Sequence, residues 1–311
     1  MKLLRNREQL KREIYRYRIM YLFLVPAIIA VVVFSYVPMV GVLMSFQDYD
    51  IVKGLFGSEW VGLKHFKEFF SDSGFWSALK NTLAINGLSI LIGFPLPIIL
   101  AIAIFSMKDG IFKKVTQTIS YLPHFVSWVV VGGLVYKLLD VDTGAINNFI
   151  KTLGGEPIAF FREPLWFWVI IIVTCIWKEL GWNTIIYLAA LSGIDAEQYE
   201  AALVDGANKR QRLWYITLPG IMPVVGLMLI MTIGNLINAN GGASFDAVYN
   251  LRNALTASMS DTLDYYIFSQ GIQHNEYSYA ASIGLVQGLV SLFLVITANR
   301  VSRKTRGYGA F

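Results

Sequence analysis

The chain has 311 residues, of which 55% are apolar and only 15% charged, with a mean hydropathy of +0.53, too oily for a soluble domain, where about a quarter of residues carry charge. The net charge of +5 does not indicate nucleic acid, because Lys and Arg sit at the edges of apolar runs, where they set membrane topology. Cys175 is the only cysteine and lies inside an apolar run, which excludes a disulfide framework and a thiolate metal cluster.

Six apolar runs, 19–46, 83–105, 121–139, 165–191, 221–240 and 279–298, are each near or above the roughly 20 residues that cross the hydrocarbon as a helix. Strand alternation is absent, and unpaired backbone is excluded from lipid. The expectation is an all-α integral membrane protein of six transmembrane helices, with a basic cytoplasmic segment at 1–18 and the membrane domain over 19–311. The first run is too long for a secretory signal and no small-residue cleavage site closes it, so it reads as a retained span.

Seven Lys or Arg precede the first run. Lys108, Lys113 and Lys114 follow the second, Lys209, Arg210 and Arg212 the fourth, and Arg300, Arg303, Lys304 and Arg306 close the chain. The positive-inside rule puts all four segments, and both termini, in the cytoplasm. The loops at 47–80, 140–164 and 241–278 then face outward; within the last, NALTASMSDTLDYYIFSQGI is amphipathic and predicts an extracytoplasmic helix, to meet a binding protein or cap the bundle.

Between the fourth and fifth runs stands YEAALVDGANKRQRLWYITLP, residues 199–219. Asp195 is placed to cap a short helix with Gln198 three residues on, Gly206 is a natural left-handed stop, and Pro219 and Pro223 punctuate the entry to the fifth run. Tyr199, Ala202 and Leu203 share one face, and Ala201 and Ala202 leave room for close approach by another surface. By spacing alone, the helix either lies on the membrane surface as a connector or serves as a docking element.

Glu200, Ala201, Ala202, then Gly206, Ile216, Leu218 and Pro219, ahead of the last two spans, resemble the cytoplasmic signature loop of binding-protein-dependent ABC importer permeases. YLFLVPAIIAVVVFSYVPMVGVLMSFQDYD, WVGLKHFKEFF, FWSALKNTL and the closing NEYSYAASIGLVQGLVSLFLVITANRVSRK are similar to carbohydrate permeases of the maltose-transporter type, in the branch for polysaccharide and complex oligosaccharide uptake. The resemblance covers nearly the whole chain. It implies the type I ABC importer permease fold, a bacterial plasma-membrane location, a second homologous permease, two ATP-binding subunits that hold ATP and Mg, and an extracytoplasmic binding protein. It further implies a coupling helix within 195–215, with Glu200, Ala201, Ala202, Asp205, Gly206 and Ala207 meeting the ATPase. The chain itself has no G-x-x-x-x-G-K-[ST] phosphate loop, so energy is expected from a partner.

Polar residues inside a span usually face the bundle or a cavity. In the fourth run, Glu179, Asn183 and Tyr187 recur every four residues, with Lys178 and Trp182 beside them; Asn235, Asn238 and Asn240 end the fifth. These eight are candidates for a carbohydrate path, aromatic faces and planar polar groups being what sugars bind. Helix-to-helix bonding is the competing role, and for Lys178 a carboxylate on the partner permease. His65, His124 and His274 are scattered, without metal-ligand or triad spacing. The chain is expected to do no chemistry of its own. The alternatives are a secondary transporter driven by an ion gradient, which needs ion-binding carboxylates or internal repeats, and a membrane enzyme, which needs a catalytic cluster.

Overall fold

A computed structural model of the chain describes residues 7–238, 242–306 and 309. Among them, five helices are long and apolar enough to cross a membrane: Arg18–Phe46, Ser73–Phe105, Pro164–Ser192, Lys209–Gly234 and Tyr277–Lys304. A sixth crossing is a bent pair, Ile111–Phe125 and Trp128–Leu138, which meet at 99°.

That bend departs from the single helix expected over 121–139. Pro123 opens a short 3-10 turn, Leu122–Phe125, and Val126 is extended. Ser127 then caps a new helix by accepting from the Val130 amide. Hydropathy sees one apolar run here, whereas the backbone makes two helices with polar ends.

The first span stands apart from the rest. Across its apolar window no residue is buried by the remainder of the chain, and only its C-terminal end, from Val37 to Phe46, packs on the last helix. Past Phe46 a two-residue ribbon pairs Gln47 with Trp60 and Asp48 with Glu59, antiparallel. The Tyr49 amide donates to Ser278 Oγ at 2.9 Å, tying this outer hairpin to the start of the last helix.

The second span begins ten residues earlier than its apolar run, capped by Asp72, whose carboxylate accepts from the Gly74 amide. Its early polar residues face the outer loop. Asn81 donates to the carbonyls of Ser258 and Asp261, and Thr82 Oγ accepts from the Leu263 amide. Asn86, 2% exposed, donates to the carbonyls of Leu236 and Asn238 and accepts from the Ala243 amide. Each bond satisfies a group whose orphaning would be costly.

Those bonds shape the segment 241–278. Instead of one helix over 253–272, that stretch forms Ala257–Ser260 and Leu263–Phe268, the latter running on into the π-turn Ser269–Gln273, and Phe245–Leu251 precedes them. Asn253 Oδ1 accepts from the amides of Leu255 and Thr256, a local turn that competes with helix and stops it. The loop is part of the core: Ala247, Val248, Leu251 and Tyr265 pack with Ile85, Phe167, Ile171 and Cys175.

Candidate functional site

The helix Pro164–Ser192 runs unbroken for 29 residues and is flanked by the second, third and fifth spans. One stripe of its surface, Cys175, Glu179, Asn183 and Tyr187, repeats every four residues and forms one wall of a cavity of about 430 Å³. Ser89, Phe94 and Pro97 of the second span, Trp128 beyond the break, Met228 and Thr232 of the fifth span, and Gly242 and Ser244 of the outer loop complete the lining. Glu179 is the only ionisable carboxylate among the lining residues. Ser89 Oγ, in a residue 7% exposed, finds no hydrogen-bond partner among the described residues.

Behind this wall the fourth helix grips the break in the third span. Lys178, 4% exposed, donates through Nζ to the His124 carbonyl at 2.5 Å and lies 3.5 Å from that of Pro123. A cation is favoured at the last carbonyls of a helical segment, and here it adds to the bond the Pro123 carbonyl already accepts from the Val126 amide. The same ammonium sits 5.5 Å from the Trp128 ring centre and 3.9 Å from Glu179 Oε1. His124 Nδ1 donates to Glu179 Oε2 at 2.9 Å; a carboxylate only accepts, so the proton is on Nδ1. Gly181 permits the crossing. A Cβ there would stand 1.9 Å from the Ser120 carbonyl oxygen.

The eight residues singled out for a carbohydrate path divide. Glu179, Asn183 and Tyr187 face the cavity. Lys178 is bonded to carbonyls of the third span, and Trp182 stacks on His124 outside the lining. Asn235 Nδ2 donates to the Met231 carbonyl, and Asn238 Oδ1 accepts from Ser291 Oγ, so both secure the end of the fifth span. Asn240 lies outside the described residues. Ser89, Trp128 and Thr232 were not singled out from the sequence. Of these, Ser89 carried a signal, being polar within the apolar stretch LSILIG.

At the other end of the fourth helix, after three intervening residues, the helix Ala196–Val204 begins. Asp195 caps it by accepting from the Glu197 amide, and the expected reciprocal bond from Gln198 does not appear; a full capping box instead joins Asn208 and Gln211 at the start of Lys209–Arg212. Gly206 takes φ +76°, with Ala207 N bonded to the Ala202 carbonyl and Gly206 N to that of Leu203, the paired bonds of a Schellman stop. The stop splits the helix expected within 195–215 in two. Tyr199 anchors the first piece through a 3.0 Å bond to Thr217 Oγ1. Glu200, Ala201, Asp205 and Gly206 are exposed, Ala202 and Ala207 half-buried, and Val204 is 89% exposed.

These features, a helical membrane domain with a cavity between spans and an uncovered helix on the loop before the fifth, define a transport subunit. Residues 93–307 match the family described as "Binding-protein-dependent transport system inner membrane component", and the chain belongs to that family. It is 41% identical over 292 residues to Protein LplB of Bacillus subtilis (strain 168), covering 94% of this chain and 91% of that protein. It is equally 41% identical over 299 residues to the polygalacturonan/rhamnogalacturonan transport system permease protein YteP of the same organism, covering 96% and 92%. Two crystal structures of a bacterial alginate ABC transporter, one in complex with an alginate pentasaccharide-bound periplasmic protein, each contain a chain 37% identical to this one. Each match has a TM-score of 0.86 and covers 96% of this chain and 99% of that one. The chain is therefore an inner-membrane ABC permease with the type I fold, and the ion-gradient alternative has no support.

Proposed function

We propose that the chain is one permease of an ATP-driven importer of carbohydrate, moving an oligosaccharide or polysaccharide fragment released by an extracytoplasmic binding protein. The observation that carries the reading is that one helix, Pro164–Ser192, bears the cavity stripe and leads within three residues into the exposed helix Ala196–Val204. A push on that exposed helix has a short, stiff route to the cavity wall. Carbohydrate is favoured by the lining, which combines Trp128, Phe94 and Tyr187 with Glu179, Asn183 and Ser89. The names of YteP and of the alginate transporter support the same class.

In this reading both termini and the loop 195–215 are cytoplasmic. Two ATPase subunits carry ATP and Mg, and a second permease completes the pore. Glu200, Ala201, Ala202, Asp205, Gly206 and Ala207 form the surface that meets an ATPase. Glu200 offers its charge, the alanines allow close approach, and Gly206 makes the turn. The chain supplies no catalytic group, and the ATPase cycle drives the change of access.

Affinity purification of the tagged chain from solubilised membranes tests this. Recovery of an ATPase and a second permease, with the ATPase lost in Glu200→Lys, is the expected result. A chain recovered alone in both cases would sink the reading.

A further inference from the structure

Glu179 poses a problem of placement. Its carboxylate stands on a wall otherwise made of uncharged residues, and a carboxylate facing such a wall is costly unless it is hydrogen-bonded and paired. Lys178 does not hold it by a hydrogen bond: the ammonium is 3.9 Å away, beyond hydrogen-bond length, and is directed to two carbonyls. The bond that fixes the carboxylate comes from His124. The imidazole is in turn fixed twice, its ring lying parallel to the Trp182 indole and its backbone carbonyl gripped by Lys178. Oε2 is thereby occupied, and Oε1 is the oxygen left to accept from a ligand.

We propose that His124 is the positioning residue of the sugar cavity, holding Glu179 so that Oε1 accepts a ligand hydroxyl and joining that contact to the break in the third span. The assignment rests on the carbohydrate reading above. A sugar hydroxyl donates to Oε1, with Asn183 and Tyr187 one and two turns further along the same stripe and Ser89 Oγ unpartnered on the second span. Any shift of the Glu179 carboxylate toward the ligand strains or releases its bond to His124. His124 sits in the turn Leu122–Phe125 where the span bends by 99°. The contact with ligand is therefore also a contact with the bend.

The test uses the whole importer, with its second permease, ATPase subunits and binding protein, in proteoliposomes. ATP-driven uptake is measured with a panel of arabino-, galacto- and galacturono-oligosaccharides, separating KM from kcat for each sugar taken up. His124→Ala and Glu179→Gln are each expected to raise KM about tenfold with a smaller effect on kcat, and the double variant to be no worse than the worse single one, since both remove one interaction. His124→Asn keeps a donor near the Nδ1 position and is expected to restore KM to within about threefold. Independent effects that multiply in the double variant, or loss of kcat and protein level at unchanged KM, would assign His124 a merely structural role. Uptake of no sugar in the panel by the unaltered importer, with ATP hydrolysis intact, overturns the carbohydrate reading and this inference with it.

Discussion

The imidazole of His124 lies flat against the indole of Trp182, ring centres 4.2 Å apart and planes 3° from parallel. Trp182 is 41% exposed, so truncating it removes the stack without leaving a closed void. Trp182→Ala is expected to cost about 1 kcal/mol and Trp182→Phe to retain most of that. Thermal inactivation of the purified complex checks the order, wild type above Phe above Ala. Equal inactivation of all three would show that the stack contributes nothing.

Gly206 is held at φ +76° with open space around it, so strain alone decides what replaces it. A β-branched residue there is penalised by about 1–2 kcal/mol, close to a tenfold drop in the docking-ready conformer. Gly206→Val should reduce uptake about that much while the chain still inserts, and Gly206→Asn, which visits the left-handed region more readily, should reduce it less. Equal uptake in both variants and in the wild type would separate the loop's shape from transport.

The contact of Gly181 with Ser120 has no slack. A methyl group at 1.9 Å from a backbone oxygen forces the third and fourth spans apart, at about 1–3 kcal/mol or more. Gly181→Ala should lower the amount of monodisperse protein extracted from the membrane, and Gly181→Leu should lower it further. Gly133, with nothing near its Cβ position, is the control and should tolerate alanine.

Asp72 ties the start of the second span to the segment before the last helix and to the start of that helix, accepting from the hydroxyls of Tyr266 and Tyr279 and from the Gly74 amide. Burial works against its ionisation, but the Tyr266 and Tyr279 hydroxyls and the Gly74 amide outweigh it and hold the carboxyl below its ordinary 3.8. A lowered value in the folded state stabilises above the ordinary value, and that contribution is lost as pH falls through the lowered one. The stability advantage of wild type over Asp72→Asn should thus be full well above pH 3.8 and shrink as the pH falls below that value, measured by thermal inactivation. An advantage unchanged across that range would show that the charge is not what stabilises.

Much of the architecture was legible because apolar runs and their basic flanks are local signals. The stripe of Glu179, Asn183 and Tyr187 was legible too, being a spacing on one helix. What escaped were features made by distant residues. The break at Pro123–Ser127 is held by Lys178, more than fifty residues on, so the lysine read as a lining group and the span as continuous. The stretch 253–272 lost its single helix to the bonds from Asn81 to the carbonyls of Ser258 and Asp261 and to the local turn at Asn253. Ser89 was overlooked because a lone serine in an apolar run is common, and its empty Oγ shows only in three dimensions.

The unbroken helix Pro164–Ser192 meets the third span at Gly181 with no room for a Cβ, and that close contact can serve as a fulcrum. From Gly181 to Ser192 is 11 residues, about 16 Å of rise, so a tilt of about 10° swings the Ser192 end by about 3 Å. The cavity residues lie on both sides of the pivot, Cys175 and Ile176 above it and Ile186 and Tyr187 below. A lever pivoted between them moves the two ends of the wall in opposite directions when its Ser192 end is displaced.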